Sequence, residues 1–428
     1  ALVVTVFIAA AGVSFLFRKK KDGVLIFTAL SAFLTRLAYI IYTPTYVRQH
    51  DVIGFGNREG QAAYIEWFLN NGFKLPAEDP RDRWGFFQPP LHHIIAAVWI
   101  KLNVLLGIPY NAATENLQLL TLAYSLLFTL YAYRLLKYFK LEGTALYIAF
   151  AVCAMHPSYI LLSGSVNNDM LCILLTLMTV FYGLKWYDSR SWADIIKLAL
   201  CMGCSMMAKL SGVLTVPALA FLFIYAWIKD GREGFAGHLK QYAVFGLISI
   251  PLGMWFPLRS YLKFGIPLSY TPGVGESLAT HSLAERLFDI RTYKPYVCMI
   301  KYGDAYDEFN IPLSLMKTSL TGEFDYGGQN GYITFFAWIL LISAVLLALI
   351  CLADTVNMLV KKDTVKGVHR IYLGLIYLTA IVFYLNLCFS IPNFSSQDFR
   401  YICYIIVIEA LLLGQDLIYN REKGKAGN

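Results

Sequence analysis

Six short polar motifs interrupt a chain that is otherwise dominated by apolar residues, and their side chains are the ones that could do chemistry. Two acids, Asp51 and Asp169, could take a proton from an attacking hydroxyl group. Three cations, Lys209, Lys317 and Arg400, could stabilise the negative charge that grows on a phosphate leaving group. The motifs are Arg48-Gln-His-Asp51, Gln88-Pro-Pro-Leu-His-His93, Asn167-Asn-Asp169, Lys209-Leu-Ser-Gly212, Lys317-Thr-Ser-Leu-Thr-Gly-Glu323 and Gln397-Asp-Phe-Arg400. These residue types indicate transfer of a group from an anionic lipid carrier.

Most of these motifs also have a purely structural interpretation. Asp51 could be a plain loop acid or the ion-pair partner of Arg48, and Asn168 and Asp169 could cap a helix. Lys209 is harder to explain in this way, because a lysine between two apolar segments costs ~2.5 kcal/mol or more unless it reaches water or an anion.

The adjacent histidines His92 and His93 point in different directions on a helix, so they cannot form the i, i+4 pair that holds a metal ion. One of them could contact substrate. No cofactor is expected, and a divalent metal stays an open alternative. Arg400, at the mouth of a helix, could be only an anchor that extends to the membrane interface.

The elements that must position these motifs are membrane-spanning helices. The chain is 57% hydrophobic and 15% charged, whereas soluble proteins carry about 25% charged residues. Runs such as Val213–Ile228 and Thr334–Leu352 contain no charge and do not alternate with a period of two, so they predict helices. We predict an all-α polytopic membrane protein with about eleven transmembrane helices, near residues 1–17, 22–43, 118–136, 143–162, 169–187, 193–209, 211–228, 239–257, 331–354, 371–390 and 399–419.

The distribution of charge predicts the orientation of these helices. The net charge of +8 lies mostly in short connections, which is the pattern of cytoplasmic loops and not of a nucleic-acid-binding face. The two long segments, 44–117 and 258–330, are therefore predicted to be outer loops. The resulting domains are two N-terminal helices (1–43), the first outer loop (44–117), a transmembrane core (118–257), the second outer loop (258–330) and C-terminal helices with a short cytoplasmic tail (331–428).

Two segments of the first outer loop predict interfacial helices instead of spanning ones. Leu91–Ile108 is apolar but contains two histidines and a lysine, and a span here would invert every downstream loop. Asn57–Asn70 has aromatic side chains on one predicted face. With this topology all six motifs lie at the same depth on the outer side, which predicts one cavity at the outer leaflet.

In this order the motifs resemble the GT-C superfamily of membrane glycosyltransferases, in particular the protein O-mannosyltransferase and aminoarabinose-transferase group, also called dolichyl-phosphate-mannose-protein mannosyltransferase-like. His50-Asp51 stands where this family has an acid early in the first outer loop, and Gln88-Pro-Pro-Leu91 matches its H/Y-P-P-L motif with glutamine in the first place. Further matches are Asn168-Asp169, the turn Lys209-Leu-Ser-Gly212 and the pair Arg400-Tyr401.

The resemblance implies a GT-C type fold and an inverting glycosyltransferase that moves a sugar from a polyprenyl-phosphate carrier to a lipid, glycan or protein hydroxyl outside the cytoplasm. It implies that Asp51 is the catalytic base and Asp169 the second acid. Val52 departs from the family's frequent Asp-Glu pair. The compact form favours a bacterial enzyme of the plasma membrane. The residues expected to bind substrate are His50, Gln88, His92, His93, Asn168, Lys209, Lys317, Glu323, Arg400 and Tyr401.

Two other classes of function stay open. A transporter or flippase of a lipid-linked or small anionic substrate would place its site near the middle of the bilayer, and Arg36 inside a predicted helix could support that function. A non-catalytic scaffold would leave the outer polar motifs unexplained.

Overall fold

The computed structural model describes residues 11–12, 23–268, 270–273, 275, 278–290, 308–322, 324, 331–360 and 367–426. Over these ranges the chain is helical and has no strand. The helices are α1 (Gly23–Tyr42), α2 (Gly60–Asn70), α3 (Leu91–Leu105), α4 (Tyr110–Glu115), α5 (Leu117–Tyr138), α6 (Gly143–Met155), α7 (Pro157–Leu162), α8 (Asp169–Ser189), α9 (Trp192–Ala208), α10 (Val216–Phe264), α11 (Leu283–Phe288), α12 (Ile311–Thr321), α13 (Gly331–Val360), α14 (Gly367–Ser390) and α15 (Ile405–Ala426). Short 3₁₀ turns occupy Pro80–Asp82, Leu210–Thr215, Phe394–Gln397 and Phe399–Tyr401.

The all-α polytopic architecture is confirmed, whereas the count of eleven spans stays a prediction. In the described ranges seven helical segments are long and apolar enough to cross a membrane, namely Gly23–Tyr42, Tyr110–Tyr138, Asp169–Ser189, Leu210–Arg232, Gly234–Phe264, Phe335–Asn357 and Gly367–Ser390. The predicted span 1–17 lies outside the described residues except at its positions 11 and 12.

Three predicted spans differ in detail from the observed helices. The segment 143–162 is broken into α6 and α7, because Pro157 lacks the N–H group that a continuous helix needs. The segment 193–209 forms the 17-residue helix α9, which ends at Ala208, one residue before Lys209. The last predicted span begins with 3₁₀ turns, and its α-helix starts only at Ile405.

Two compact units make up the fold, and each has its own packing. The first consists mainly of Leu30–Tyr133 and Leu162–Pro272, and the second mainly of Arg134–Leu161 and Gly273–Asn428. In the first unit, α9 packs between α8 and α10, and a Cβ atom on Gly203 would lie only 2.7 Å from Leu252 Cβ. In the second unit, α15 packs against α6 and α13.

The segment 44–117 supplies most of a small hydrophobic core, to which Val166 also belongs. Tyr64 and Phe68 of α2 are fully buried there, and the Tyr64 ring stacks on Phe86 with 4.6 Å between ring centroids. On the face of this helix that was predicted to be half-buried, Tyr64 and Phe68 are fully buried and Trp67 is partly buried. This core fixes the start of α2 and the start of α3 next to each other.

Helix α3 is too short to cross a bilayer. Its 15 residues span about 22 Å, compared with ~30 Å of hydrocarbon. His92 and His93 at its N-terminal end are buried, whereas Leu102 and Leu105 near its C-terminal end are 52% and 73% exposed. These features agree with the interfacial position that the sequence predicts.

Candidate active site

The loop that carries Asp51 has an unusual backbone. Arg48, Asp51 and Ile53 have φ values of 53°, 59° and 62°, a left-handed conformation that costs an ordinary residue ~1–2 kcal/mol. Such strain persists only where surrounding contacts hold it. Here the Gln61 N–H donates to the Asp51 carbonyl oxygen at 2.9 Å, and the Ala62 N–H donates to the next carbonyl at 3.3 Å. The loop, called the base loop below (residues 48–54), is therefore held by the start of α2.

The turn before α8 places three polar side chains inside the protein. Asn167, Asn168 and Asp169 are all buried. Asn167 accepts from the Asp169 N–H at 3.0 Å, and its Nδ2 donates to Asp169 Oδ2 at 2.9 Å and to the His50 carbonyl oxygen at 3.3 Å. This last bond connects the turn with the base loop.

Asn168 stands at the N-cap position of α8, but its side chain does not cap the helix, so the capping alternative is wrong for this side chain. Its side chain makes no capping hydrogen bond. Its Nδ2 instead donates to the Ala208 carbonyl oxygen at 2.7 Å and to Gln88 Oε1 at 3.3 Å. Asn168 thus connects the ends of α8 and α9 with the Pro-Pro motif that precedes α3.

Lys209 forms an ion pair with Asp169, and both side chains are largely inaccessible. Lys209 is 16% exposed and Asp169 5% exposed. The lysine follows the last residue of α9 in extended conformation, and its ammonium donates to Asp169 Oδ1. The turn after it is tight, since a Cβ atom on Gly212 would lie 2.5 Å from Ser205 Oγ. The predicted anion contact is therefore already engaged by a carboxylate.

Both histidines of α3 reach the same region. His92 Nε2 lies 2.7 Å from the Val166 carbonyl oxygen, and His93 Nε2 lies 3.1 Å from Gln61 Oε1, so each Nε2 carries the proton and donates it. Burial lowers the pKa of His92 to about 4, against the opposing influence of the Val166 hydrogen bond and of Asp169. Burial also lowers the pKa of His93 well below its usual value. Both rings are neutral at pH 7.

The structure thus brings together seven of the residues that the sequence predicts for the site, through hydrogen bonds in the first unit. We call them, with Gln61 and Asn167, the polar cluster: Asp51, Gln61, Gln88, His92, His93, Asn167, Asn168, Asp169 and Lys209. His50 is buried and contributes its carbonyl oxygen. Within the described residues no group of three His, Cys, Asp or Glu side chains has the arrangement of a metal site.

Gln61 was not predicted from the sequence. It is 2% exposed, and its Oε1 accepts from both His93 Nε2 and the Asn168 N–H, the latter at 3.2 Å. A glutamine in the first turn of a helix carries no signal of such a role. Only its position within the predicted helix 57–70, beside aromatic residues, could have suggested burial.

The remaining predicted residues belong to the second unit. Lys317 and Glu308 form a fully buried ion pair at 2% and 0% exposure. Arg400 Nε lies 3.7 Å from Asp398 Oδ2, and its Nη2 donates to the Tyr401 hydroxyl at 3.2 Å. The predicted substrate contact Glu323 lies outside the described residues.

A buried glutamine organises the surroundings of these charges. Gln397 Oε1 accepts from Arg286 Nη2 at 3.0 Å, and its Nε2 donates to the Glu308 carbonyl oxygen at 3.2 Å. The Tyr384 hydroxyl donates to the Gln397 carbonyl oxygen at 2.7 Å. The segment that carries Arg400 is therefore fixed from both sides.

Residues 89–255 match the model of the dolichyl-phosphate-mannose-protein mannosyltransferase family. No curated protein matches the chain. The matched segment contains His92, His93, Asn168, Asp169 and Lys209, whereas Asp51 precedes it. The match supports a glycosyltransferase activity of the GT-C kind in an integral membrane protein. Over residues 89–255 the chain is similar to the dolichyl-phosphate-mannose-protein mannosyltransferases of the GT-C superfamily, as its motifs had indicated.

Proposed function

We propose that the protein transfers a sugar from a polyprenyl-phosphate carrier to an acceptor hydroxyl group on the extracytoplasmic side of the membrane, with inversion at the anomeric carbon. The acceptor oxygen attacks the anomeric carbon and gives its proton to the Asp51 carboxylate. The bond between the anomeric carbon and the phosphate oxygen breaks, and the lipid phosphate leaves with the bonding electron pair. The acceptor is a lipid, a glycan or a protein.

The observation that carries this proposal is the convergence of separate chain segments on the polar cluster. The base loop, the turn before α8 and the end of α9 are far apart in sequence, yet hydrogen bonds connect all three. Scattered solvated charges would not meet in this way. The loop that carries the proposed proton acceptor is hydrogen-bonded to the turn that carries a buried ion pair, which suits general base catalysis.

The charges of the polar cluster limit what it can bind. Its formal charges are those of the two acids and Lys209, because both histidines are neutral. An excess of carboxylate does not favour a phosphate, so the donor phosphate needs cations beyond this cluster. From the sequence, Lys317 and Arg400 stay predicted phosphate contacts and Tyr401 a predicted substrate contact. Within the second unit Lys317 already pairs with Glu308, and Arg400 lies 3.7 Å from Asp398.

The experiment is incubation of the purified protein with a panel of polyprenyl-phosphate sugars and hydroxyl acceptors, with release of polyprenyl phosphate measured. Asp51→Asn keeps the shape of the side chain and removes its basicity, so we expect at least ~100-fold slower release. Asp82→Asn is the matched control, because Asp82 is an exposed acid of the same segment, 44–117, outside the base loop, and should tolerate the change. Full activity of Asp51→Asn would refute the assignment of the base, and wild-type protein that releases no lipid phosphate would refute the function. Labelling of Ile53→Cys from outside intact cells tests the sidedness.

The transporter alternative rests on Arg36 in α1, and the contacts of that residue offer another explanation. Arg36 is fully buried, its Nε donates to Ser125 Oγ at 2.8 Å, and its Nη1 donates to the Ala32 carbonyl oxygen at 3.1 Å. These bonds join α1 to α5 and explain the buried Arg36 cation without a transported substrate. Uptake of intact substrate into vesicles, with no covalent product, would reinstate the alternative.

A further inference from the structure

Gln61 occupies the point where the base loop meets the rest of the polar cluster. It is the second residue of α2, and its backbone N–H donates to the carbonyl oxygen of Asp51 at 2.9 Å. Its side chain hydrogen-bonds to other parts of the cluster, His93 and Asn168. One residue therefore contacts the loop of the proposed base and the turn that leads to Asp169.

The side-chain amide of Gln61 uses its hydrogen-bonding capacity on the cluster. Its single oxygen accepts from His93 Nε2 at 3.1 Å and from the Asn168 N–H at 3.2 Å, which occupies both lone pairs. Its Nε2 faces Asn168 Oδ1 at 3.5 Å. Substitution would leave two buried N–H groups without an acceptor, so the position strongly favours a carbonyl oxygen.

The backbone around Gln61 leaves it little freedom. Gly60 has a φ of +91°, and a Cβ atom there would lie 2.4 Å from the Val52 carbonyl oxygen. A Cβ atom on Gly85 would lie 2.9 Å from the carbonyl carbon of Gly60. The first turn of α2 is thus packed directly against the base loop, and this packing fixes the backbone position from which the Gln61 side chain extends.

We propose that Gln61 is a positioning residue that holds the base loop in register with the Asn168–Asp169 turn. This inference rests on the proposed function, in which Asp51 acts as the base. It follows from the hydrogen bonds of one fully buried side chain to two other elements and of its own N–H to a third. Because a misplacement of 1 Å in an active site costs up to ~100-fold in rate, a loss of this register should slow turnover without preventing donor binding.

The test compares substitutions of Gln61 with a substitution of Gln118. Gln61→Met removes the shared acceptor, and Gln61→Glu keeps an acceptor oxygen for both N–H groups. Gln118→Met is the matched control, since Gln118 is another glutamine of 2% exposure in the same unit, and its Nε2 donates to a backbone carbonyl oxygen, that of Thr43, at 2.7 Å. For each variant, release of polyprenyl phosphate gives kcat and the donor KM, and thermal unfolding gives stability.

We expect Gln61→Met to lower kcat by about 10- to 100-fold, with a donor KM within about threefold of wild type. Gln61→Glu should recover most of that kcat, and Gln118→Met should lose stability with kcat unchanged. If Gln61→Met does not fold, Gln61→Asn replaces it, because the shorter side chain withdraws the oxygen from both donors. An unchanged kcat in the variants that lack the acceptor, or an equal loss of kcat in Gln118→Met, would overturn the positioning role. Failure of the proposed function itself is distinguishable, because wild-type protein would then release no lipid phosphate.

Discussion

Replacing Lys209 with methionine would remove the only cation in the polar cluster while keeping most of the side-chain volume. The ammonium donates to Asp169 Oδ1, and the two side chains are 16% and 5% exposed. In the variant the carboxylate stays inside the protein without its lysine partner. Asn167 Nδ2, at 2.9 Å from Oδ2, is a neutral donor and compensates only part of the loss.

The size of the effect follows from the burial of the pair. Breaking a buried ion pair by removing one partner costs about 3–5 kcal/mol, because the remaining charge loses its ionic partner at a poorly hydrated site. Removing both charges is often close to neutral. We therefore expect Lys209→Met to lower the free energy of unfolding by about 3 kcal/mol, and the double variant Lys209→Met/Asp169→Asn to recover at least half of that loss.

Equilibrium unfolding in mixed micelles measures both variants against wild type. The single variant Asp169→Asn completes the cycle and separates the interaction of the two residues from their individual effects. A loss below 1 kcal/mol in Lys209→Met would show that Asp169 reaches water, and the buried ion pair would then not describe the folded state. We expect the double variant to lose activity even where it recovers stability, since the proposed reaction needs the charges of Lys209 and Asp169.

Two further predictions concern His92 and the second unit. The folded-state pKa of His92, about 4, lies below its unfolded value of 6.5, so the unfolded chain takes up a proton that the folded protein does not. The stability of the folded protein is therefore unaffected by His92 above pH 6.5 and falls as the pH decreases from 6.5 towards 4. Between pH 8 and pH 5 the wild-type protein should lose about 2 kcal/mol of unfolding free energy through His92. The loss between these pH values should be smaller by that amount in His92→Gln. Equal losses in the two proteins would contradict the burial of His92. Lys317→Met should be destabilising and Lys317→Met/Glu308→Gln nearly neutral, as judged by thermal unfolding, because this pair is also buried. If the double variant keeps the donor KM of wild type, Lys317 does not bind the donor phosphate.

The sequence predicted the all-α membrane architecture, and it made Asp169 and Lys209 candidates for one physical reason. A charged or amide side chain at the end of an apolar helix must find a partner or water, so Asp169 and Lys209 stand out without any structural information. The structure pairs them with each other. The pairing itself could not be read from the chain, because 40 residues separate them and only the packing of α8 against α9 brings them together.

Two other features were beyond the reach of sequence patterns. Glu308 lies nine residues before Lys317, a separation with no helical period, and the helix that carries the lysine begins only after Asn310. Gln61 looks like an ordinary polar residue of an interfacial helix, and its burial depends on the aromatic core around Tyr64. In both cases tertiary packing, and not local propensity, decides the environment of the side chain.

Because the apolar C-terminal end of α3 is exposed, the measured activity should depend on the lipid or detergent that surrounds the protein. Leu102 and Leu105 expose 52% and 73% of their surface, and the same helix carries the histidines of the polar cluster at its other end. Bilayer lipid would cover this end, whereas a small micelle could leave it in contact with water and tilt the whole rod. Preparations in nanodiscs and in short-chain detergent are therefore not interchangeable when turnover numbers are compared.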